Sequence, residues 1–265
     1  MQRLDATRLR ARADQPPAAL RVTLSTHDGA PIGSIEPALA HDLCNAGLPL
    51  APHPEGWRVA TATLDSALER IARWLSTHRL GGRWRDERLA VADASGHVVG
   101  AIERAVVRPL GIATCAVHLV GHTPEGRVWV QQRALGKAVD PGRWDTLMGG
   151  LMAAGETVAQ TLERETWEEA GLRIAQLSAV HEFARLTVRR PLEAGSYMVE
   201  HMHCFEAGVP AGLQPANQDG EVLRFEALTP DVLRDRLYAD AFTVEAALVL
   251  LCWVEAGAGA AGAGV

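Results

Sequence analysis

The sequence predicts an α/β protein in which a mixed β-sheet lies between helices, preceded by a small α+β domain. Segments with the two-residue periodicity of strands alternate with segments that have the 3.6-residue periodicity of helices. The chain has 265 residues, of which 48% are hydrophobic, and this is enough to bury one large core or two modest ones. Residue types that carry catalytic chemistry cluster only after about residue 110. We therefore predict an N-terminal arm (1–17), an accessory domain (18–110), a larger domain (111–255) and a disordered tail (256–265).

The N-terminal part of the chain is predicted from a run of short elements. The arm ends in two prolines and is expected to be loosely held, with at most a short helix. Leucine and isoleucine recur at i, i+4, i+7 and i+11 from Leu64, which predicts an amphipathic helix over 62–78. Without a cluster of catalytic residue types, this domain is expected to shape the substrate pocket or a dimer contact. Its other predicted elements are strands on either side of Asp28-Gly29, a helix from Pro37 to Ala46, a strand from Gly56 and a hairpin around 94–97.

The larger domain is predicted to form the mixed sheet. It begins with two strands joined by a Pro-Glu-Gly turn at 124–126. A helix follows over 156–171, and the order of the elements packs helices on both faces of the sheet. The remaining predicted elements are strands within 177–190, 196–207 and 222–230, a helix after residue 230 and a helix from Thr243 to Val254.

Composition narrows the class of protein. The net charge is −6 and no long basic stripe occurs, which argues against a nucleic-acid-binding surface. The four cysteines lie far apart without a C-x-x-C pair, so neither a disulfide framework nor a zinc site is expected. The sequence has no run of eighteen apolar residues and no apolar core of a secretory signal. We therefore expect a cytoplasmic protein that binds neither nucleic acid nor membrane, with a homodimer as a possible assembly.

One segment, residues 150–172, carries the most specific information in the chain. At 3.6 residues per turn, its glutamates Glu165, Glu168 and Glu169 fall within about a third of the helix circumference. Carboxylates crowded on one face repel each other, and a bound cation removes that repulsion. Oxygen ligands without His or Cys suit Mg²⁺ or Mn²⁺. The alternative is a solvated acidic face, which most charge runs are. The other fixed residues of the segment are Gly150, Glu156, Arg164 and Gly171.

The spacing of these residues, G-x5-E-x7-R-E-x-x-E-E-x-G, matches the Nudix box, and the chain resembles the Nudix hydrolases. Thr166 stands where that family usually has an aliphatic residue. The resemblance implies an α/β/α sandwich and a metal-dependent pyrophosphohydrolase acting on a small-molecule diphosphate. It implies that the carbonyl oxygen of Gly150 joins the three glutamates in holding the metal. It also implies that Glu165 or Glu221 accepts the proton of water, while Arg164 and Glu156 fix the carboxylates.

A wider resemblance covers roughly residues 20–245. The stretch from Val117 to Glu156 is similar to the Nudix domain that is fused or related to thiamin pyrophosphokinases of fungi and plants. Those proteins also carry a preceding domain that ends in a run like the one from Arg108 to Thr114. The resemblance implies a thiamin diphosphate derivative as the substrate, and no kinase section follows in this chain.

Three further residues are candidates for substrate binding. Arg133 and Lys137 lie four residues apart just before the box and would clamp a diphosphate; the alternative is that both are solvated loop residues. Trp144 would stack on a substrate ring, or else belong to the core. His201 and His203 share a strand face, where satisfied histidines are a more common explanation than a metal site.

Other functions remain open at the level of sequence. A nucleoside diphosphate sugar of the ADP-ribose type is the main alternative substrate, because the Nudix box recognises only diphosphate and metal. Isopentenyl diphosphate isomerase shares the scaffold but uses a cysteine where this chain has DTLMGG (145–150), without one. A non-catalytic ligand sensor is a third possibility, although a pure binding module has no need of the intact carboxylates.

Overall fold

A computed structural model gives the architecture and describes residues 6–137, 139–192 and 195–257. The predicted tail lies outside the described residues from position 258 onward, as do the first five residues of the arm. Within the described ranges, no helix is both long enough and apolar enough to cross a membrane.

The accessory domain is built on a small four-stranded sheet with the strand order β2-β1-β4-β3. A separate hairpin, β5 with β6, closes the domain, and a 3-10 turn over Arg104–Val106 leads out of it. All elements predicted for this region are present, together with strand β3, which was not predicted. The elements are β1 (Val22–Ser25), β2 (Pro31–Ile35), α2 (Pro37–Asn45), β3 (Leu50–His53), β4 (Gly56–Val59), α3 (Leu64–Thr77), β5 (Arg88–Ala92) and β6 (Val98–Glu103).

The larger domain contains a seven-stranded sheet, which confirms the predicted mixed α/β fold. Five strands run in the order β11-β12-β7-β8-β13, while β10 pairs with β7 and β9 with β8. The β12–β7 pair is parallel and the others are antiparallel. The elements are β7 (Thr114–His122), β8 (Val128–Arg133), β9 (Trp144–Asp145), β10 (Met148–Leu151), α4 (Val158–Ala170), β11 (Ser178–Pro191), β12 (Tyr197–Gly208), β13 (Val222–Leu228), α5 (Pro230–Tyr238) and α6 (Val244–Glu255).

Helices cover both faces of this sheet. Helix α4 packs on the face of β7 that presents Val117 and Leu119, where Leu162 of the helix is buried. Helices α5 and α6 pack on the opposite face, whose core is centred on Val120, Val130 and Phe242. Because apolar residues cover each face, the sheet lies in the middle of an α/β/α sandwich.

The described part of the N-terminal arm, from residue 6 onward, packs against the larger domain, whereas the sequence predicts a loosely held arm with a short helix. It forms a helix, α1 (Ala6–Ala13), that buries Leu9 and Ala13 in the same core as α6. Asp14 then forms a β-bridge with Arg189 of β11. The proline pair gave no sign of this docking, because the apolar contacts of α1 come from a helix more than 200 residues away.

The two domains meet at the segment that joins them. The backbone N–H of Ser34 donates to the carbonyl of Leu110 at 2.9 Å, and that of Tyr197 donates to the carbonyl of Arg108 at 3.0 Å. Gly33 permits the first contact, because a Cβ atom there would lie 2.6 Å from the Leu110 oxygen. The segment carrying Arg108 is therefore bonded on one side to the accessory sheet and on the other to strand β12.

Candidate active site

Helix α4 is fixed at both ends by its own sequence. Thr157 and Gln160 form a capping box at the N-terminus. Gly171 ends the helix with φ of 63°, the left-handed conformation expected from the sequence. A Cβ atom at Gly171 would also lie 2.5 Å from the carbonyl oxygen of Ala216. These constraints set the register of the carboxylates along the sheet edge.

Arg164 draws the carboxylates of Glu165 and Glu168 together. Its Nη1 donates to Glu165 Oε1 at 2.7 Å and to Glu168 Oε2 at 3.0 Å. The Glu165 side chain is 12% exposed and the Glu168 side chain 42%. One carboxylate is thus buried beside the cavity described below, and the other faces solvent next to it.

Glu156 holds the rest of the Arg164 guanidinium in a two-pronged contact. Arg164 Nε lies 2.6 Å from Glu156 Oε1, and Nη2 lies 2.7 Å from Oε2. This hydrogen bonding lowers the pKa of Glu156 to about 2, so the pair stays ionised at neutral pH. Glu156 also accepts hydrogen bonds from the backbone N–H of Ala153 and the hydroxyl of Thr161. The loop before the helix is therefore tied to Arg164, which is a positioning arrangement.

Gly150 leaves the space that the Glu165 carboxyl occupies. A Cβ atom at Gly150 would lie 2.0 Å from Cδ of Glu165 and 2.3 Å from its Oε1. Any side chain at this position would displace the carboxyl. The fixed glycine at the start of the motif thus allows strand β10 and helix α4 to bring a backbone and a carboxylate into direct contact.

Glu169 is the most deeply buried carboxylate of the helix, with 2% of the residue exposed. Its Oε2 accepts hydrogen bonds from Gln131 Nε2 at 2.7 Å and from the Gly149 N–H at 3.0 Å. Lys137 Nζ lies 3.9 Å from its Oε1. Burial raises the pKa of Glu169 to about 7 in spite of the lysine. Negative charge at this position is incompletely compensated by the protein.

These residues fit a divalent metal by their chemistry. Glu165, Glu168, Glu169 and the Gly150 carbonyl are all oxygen donors, the type that Mg²⁺ and Mn²⁺ prefer. Burial raises the pKa of Glu165 as well, which means that its charge is desolvated and would be stabilised by a cation. In the part of the chain that the structure describes, no three His, Cys, Asp or Glu side chains surround a single point ready for a metal. Arg164 and Lys137 instead hold the carboxylates.

A cavity of about 190 Å³ opens beside Glu165 and Glu169. Gly150, Arg133 and Lys137 also line it, so the structure brings most of the predicted site residues together. Five basic and seven acidic side chains line this cavity, so its lining is negatively charged on balance. The basic residues are Arg104, Arg108, Arg133, Lys137 and Arg190, and the acidic residues are Asp140, Asp145, Glu165, Glu169, Glu200, Glu221 and Glu245.

Lys137 and Arg133 are not solvated loop residues. Lys137 is 14% exposed and forms an ion pair with Glu221, the candidate from the loop before β13. Arg133 donates to Asp145 Oδ2 at 3.1 Å and is 16% exposed. Both cations line the cavity together with Glu165 and Glu169 of α4.

Trp144 and the two strand histidines lie elsewhere. Trp144 is 7% exposed within the core, and the guanidinium of Arg236 lies 4.3 Å from its ring centroid. It is not among the residues that line the cavity. His203 pairs with Glu182 at 2.8 Å, and His201 with Thr187 at 3.0 Å, so both have strand partners.

Several residues of the cavity escaped the sequence analysis. They come from separate segments and share no spacing, so no local pattern could have grouped them. Arg108 lay in the run from Arg108 to Thr114, and His118, Asp140 and Asp145 lay in the stretch from Val117 to Glu156, but neither resemblance assigned a role to these residues. The residues concerned are Arg104, Arg108, His118, Asp140, Asp145, Arg190, Glu200 and Glu245.

Comparison with known proteins agrees with this geometry. The family model of the NUDIX domain matches residues 112–248, just over half of the chain. The chain belongs to the Nudix family. The match begins one residue after the predicted start of the larger domain.

Individual relatives support the same assignment. An uncharacterised Nudix hydrolase of Pseudomonas aeruginosa is 37% identical over 91 residues, which cover 34% of this chain and 54% of that protein. An isopentenyl-diphosphate Delta-isomerase of Streptomyces coelicolor is 30% identical over 157 residues, covering 58% of this chain and 77% of that enzyme. A crystal structure of a Deinococcus radiodurans protein, 26% identical, superposes with a TM-score of 0.51 and covers 63% of this chain and 99% of that one. The chain spans about half the length of the Pseudomonas relative, so that protein's name does not by itself assign an activity here.

Proposed function

We propose that this protein is a metal-dependent pyrophosphohydrolase that cleaves the diphosphate linkage of a small molecule. The observation that carries the proposal is the contact of the Glu165 carboxyl with the backbone of Gly150, with Arg164 bridging Glu165 and Glu168. A purely solvated acidic face would place these carboxylates apart in water. Here they converge beside a cavity that also contains Arg133 and Lys137.

The roles of the residues follow from their positions. Glu165, Glu168, Glu169 and the Gly150 carbonyl would hold Mg²⁺ or Mn²⁺, which when bound polarises phosphoryl oxygens and lowers the pKa of bound water. Arg133 and Lys137 would bind the diphosphate oxygens and neutralise charge that develops on them.

Proton acceptance is assigned to Glu165 in preference to Glu221. Glu221 is engaged by Lys137 and lies 3.8 Å from Arg85, which leaves it less available to a water molecule. Glu165 lies directly against Gly150 beside the proposed metal position. Arg164 and Glu156 would keep the carboxylates in place without touching substrate.

The substrate head group is a finer part of the proposal. The wider resemblance supports a thiamin diphosphate derivative, which would lose its terminal phosphate to water. The thiamin head group is an aromatic heterocycle that would need a flat aromatic wall, but Trp57, Trp84 and Trp144 are absent from the described residues that line the cavity. Nucleoside diphosphate sugars of the ADP-ribose type are the alternative. The cavity volume of about 190 Å³ is below the roughly 300–1,000 Å³ of typical sites for drug-sized ligands, so either substrate would extend beyond the cavity.

Isomerisation of isopentenyl diphosphate is the second candidate function, favoured by the identity with the Streptomyces isomerase. Two features of the site oppose it. Among the described residues that line the cavity there is no cysteine. The strand segment DTLMGG also lacks space for one at Gly149, where a Cβ atom would lie 2.8 Å from the His118 ring.

A panel of diphosphates tests the proposal. Oxidised thiamin diphosphates, ADP-ribose and isopentenyl diphosphate would be incubated with Mg²⁺ and with EDTA, and the products identified by ³¹P NMR. We expect Mg²⁺-dependent cleavage of at least one compound between its phosphorus atoms. A preference for ADP-ribose in kcat/KM would overturn the thiamin assignment alone. Conversion of isopentenyl diphosphate to its isomer without phosphate release would overturn hydrolysis.

A further inference from the structure

The cavity has a second end that the diphosphate chemistry does not use. It is formed by two ion pairs, Arg108 with Glu200 and Arg190 with Glu245, and we call it the head-group end. Arg108 Nη2 donates to Glu200 Oε2 at 2.7 Å, and Arg190 Nε donates to Glu245 Oε1 at 3.0 Å. All four side chains are between 9% and 20% exposed. Charges this deeply placed are costly unless they serve structure or binding.

Strand pairing gives the position of the head-group end relative to Gly150, where the metal and the diphosphate are proposed to bind. Glu200 of β12 is paired with Thr114 of β7, whereas Gly150 of β10 is paired with Val117 of the same strand. Three residues along β7 correspond to roughly 10 Å at about 3.3 Å per residue. Because β10 and β12 lie on opposite sides of β7, two strand spacings of about 4.8 Å each add to this offset, and the two backbone positions are roughly 14 Å apart. The Glu200 side chain extends into the same cavity as Gly150, so a molecule with its diphosphate at Gly150 would point its other end towards the Glu200 carboxylate.

The head-group end carries an excess of acceptors. Three carboxylates, those of Asp140, Glu200 and Glu245, face two guanidiniums, which leaves one formal negative charge. The guanidiniums are already committed, since Arg190 also contacts Asp140 Oδ2 at 3.4 Å.

The Glu200 carboxylate can accept more hydrogen bonds than Arg108 and Thr114 donate to it. Its Oε2 accepts hydrogen bonds from Arg108 and from the Thr114 hydroxyl. An ionised carboxylate offers about four acceptor positions over its two oxygens. Burial alone would raise the pKa of Glu200, but the charge and hydrogen bond of Arg108 outweigh it and lower the pKa, so the group stays ionised.

The two glutamates also act on each other. Burial raises the pKa of Glu245, Arg190 partly offsets this, and the negative charge of Glu200 raises it further. Two carboxylates that repel across a cavity are stabilised when a cation or an N–H donor lies between them.

We infer that the head-group end selects substrates whose small head group carries an ammonium or another N–H donor, with Glu200 and Glu245 as its acceptors. The inference rests on the proposed function, because it assumes that the diphosphate occupies the Gly150 end. It also gives the accessory domain a role, since that domain's Arg108 holds Glu200 in position. An isoprenoid chain, which can donate no hydrogen bond, would desolvate the remaining acceptor positions of these carboxylates without offering them a partner.

A matched pair of ligands tests this inference by binding. The methylenebisphosphonate esters of 4-aminobutanol and of 3-methylbutanol share an uncleavable diphosphate mimic and a similar length, and differ in the head group. Isothermal titration with Mg²⁺ present gives a Kd for each. We expect the amino compound to bind the wild-type protein at least tenfold more tightly. Glu200→Gln should reduce that preference at least fivefold, and so should Glu245→Gln, which covers the case in which the first variant fails to fold.

Glu226→Gln is the matched control. Glu226 is on strand β13 of the same sheet and forms an ion pair with Arg236 of helix α5. It does not line the cavity, so this variant should retain the preference for the amino compound. Equal binding of the two compounds to the wild type, or weak binding of both, would overturn the inference. A preference that survives in both cavity variants would do the same. If the diphosphate panel shows no hydrolysis but the preference is present, the head-group inference stands and the catalytic proposal fails.

Discussion

The two ends of the cavity are built in opposite ways. The end beside Gly150, which we call the metal end, takes three carboxylates and their positioning arginine from helix α4 and the loop before it, within residues 150–171. The head-group end takes its charges from the interdomain segment, the end of β11, strand β12 and the start of α6. The proposed chemistry is therefore encoded locally in this chain, whereas the proposed selection of substrates depends on how distant segments assemble.

The two ends also differ in how the pKa values of their carboxylates are shifted. Glu169 and Glu165 at the metal end have pKa values raised above the ordinary range by burial, because no partner fully compensates them. Glu200 at the head-group end has its pKa lowered by Arg108 despite its burial. The buried carboxylates of the first end are short of positive charge, whereas Glu200 is paired with Arg108 of the accessory domain and Glu245 with Arg190 of the larger domain.

The largest expected effect comes from the metal end. Glu168→Gln should lower kcat for the cleaved diphosphate by a hundredfold or more, on the order of 3 kcal/mol of transition-state stabilisation, with the fold intact. Glu163→Gln is the matched control on the same helix, since Glu163 contacts the Ile174 N–H and Arg173 away from the cavity. Equal turnover in the two folded variants, measured by steady-state kinetics, would remove Glu168 from the metal site.

The second effect is on stability and belongs to the other end. Arg108→Leu leaves Glu200 buried without its cation, so the free energy of unfolding should fall by roughly 2 kcal/mol, below the 3–5 kcal/mol of a fully buried pair because Arg108 is 20% exposed. Adding Glu200→Leu to that variant should recover part of the loss. Urea unfolding of the single and double variants measures both values. A double variant less stable than Arg108→Leu alone would show that the loss does not come from leaving the Glu200 carboxylate without its cation.

A smaller effect separates positioning from ligation at the metal end. Arg164→Lys keeps the charge but loses the two-pronged contact with Glu156, so kcat should fall about tenfold with KM nearly unchanged. Steady-state kinetics on the best diphosphate provides the comparison. A loss as large as that of Glu168→Gln would mean that Arg164 contacts the substrate.

The smallest effect is a pH dependence with opposite signs at two neighbouring carboxyls. Because the pKa of Glu200 is lowered from 4.5, its contribution to stability is present above pH 4.5 and is lost as the pH falls through the folded value. Because the pKa of Glu245 is raised, its contribution is present below pH 4.5 and is lost as the pH rises through the folded value. Urea unfolding of Glu200→Gln and Glu245→Gln from pH 3.5 to 7 should show stability differences from wild type that change in opposite directions. Parallel changes would contradict these assignments.

Local sequence predicted the metal end because every constraint there acts over a few residues. The capping residue Thr157, the left-handed Gly171 and the carboxylate spacing are all set within the turns of one helix. Gly150 was predicted only as a metal ligand, although the structure shows that it must also lack a side chain to admit Glu165. Sequence spacing gives no access to a contact between a strand and a helix of that kind.

The ion pairs of the head-group end could not be predicted from the sequence, because the fold brings together residues that are far apart in the chain. Arg108 and Glu200 are 92 residues apart, and Arg190 and Glu245 are 55 apart. Trp144 shows the converse limit: the sequence left substrate stacking and a place in the core both open, and the structure buries Trp144 in the core with α6, beside Arg236. Its proposed role in binding has no support from its position.

The central claim is that the α4 carboxylates form a divalent-metal site, and titration with Mn²⁺ followed by electron paramagnetic resonance tests it most directly. Free Mn²⁺ gives a signal that diminishes on binding, so affinity is read without a substrate. We predict saturable binding by the wild type and by Glu163→Gln, and at least tenfold weaker binding by Glu165→Gln, whose carboxyl lies against Gly150. Equal Mn²⁺ affinity in all three folded proteins would contradict the account.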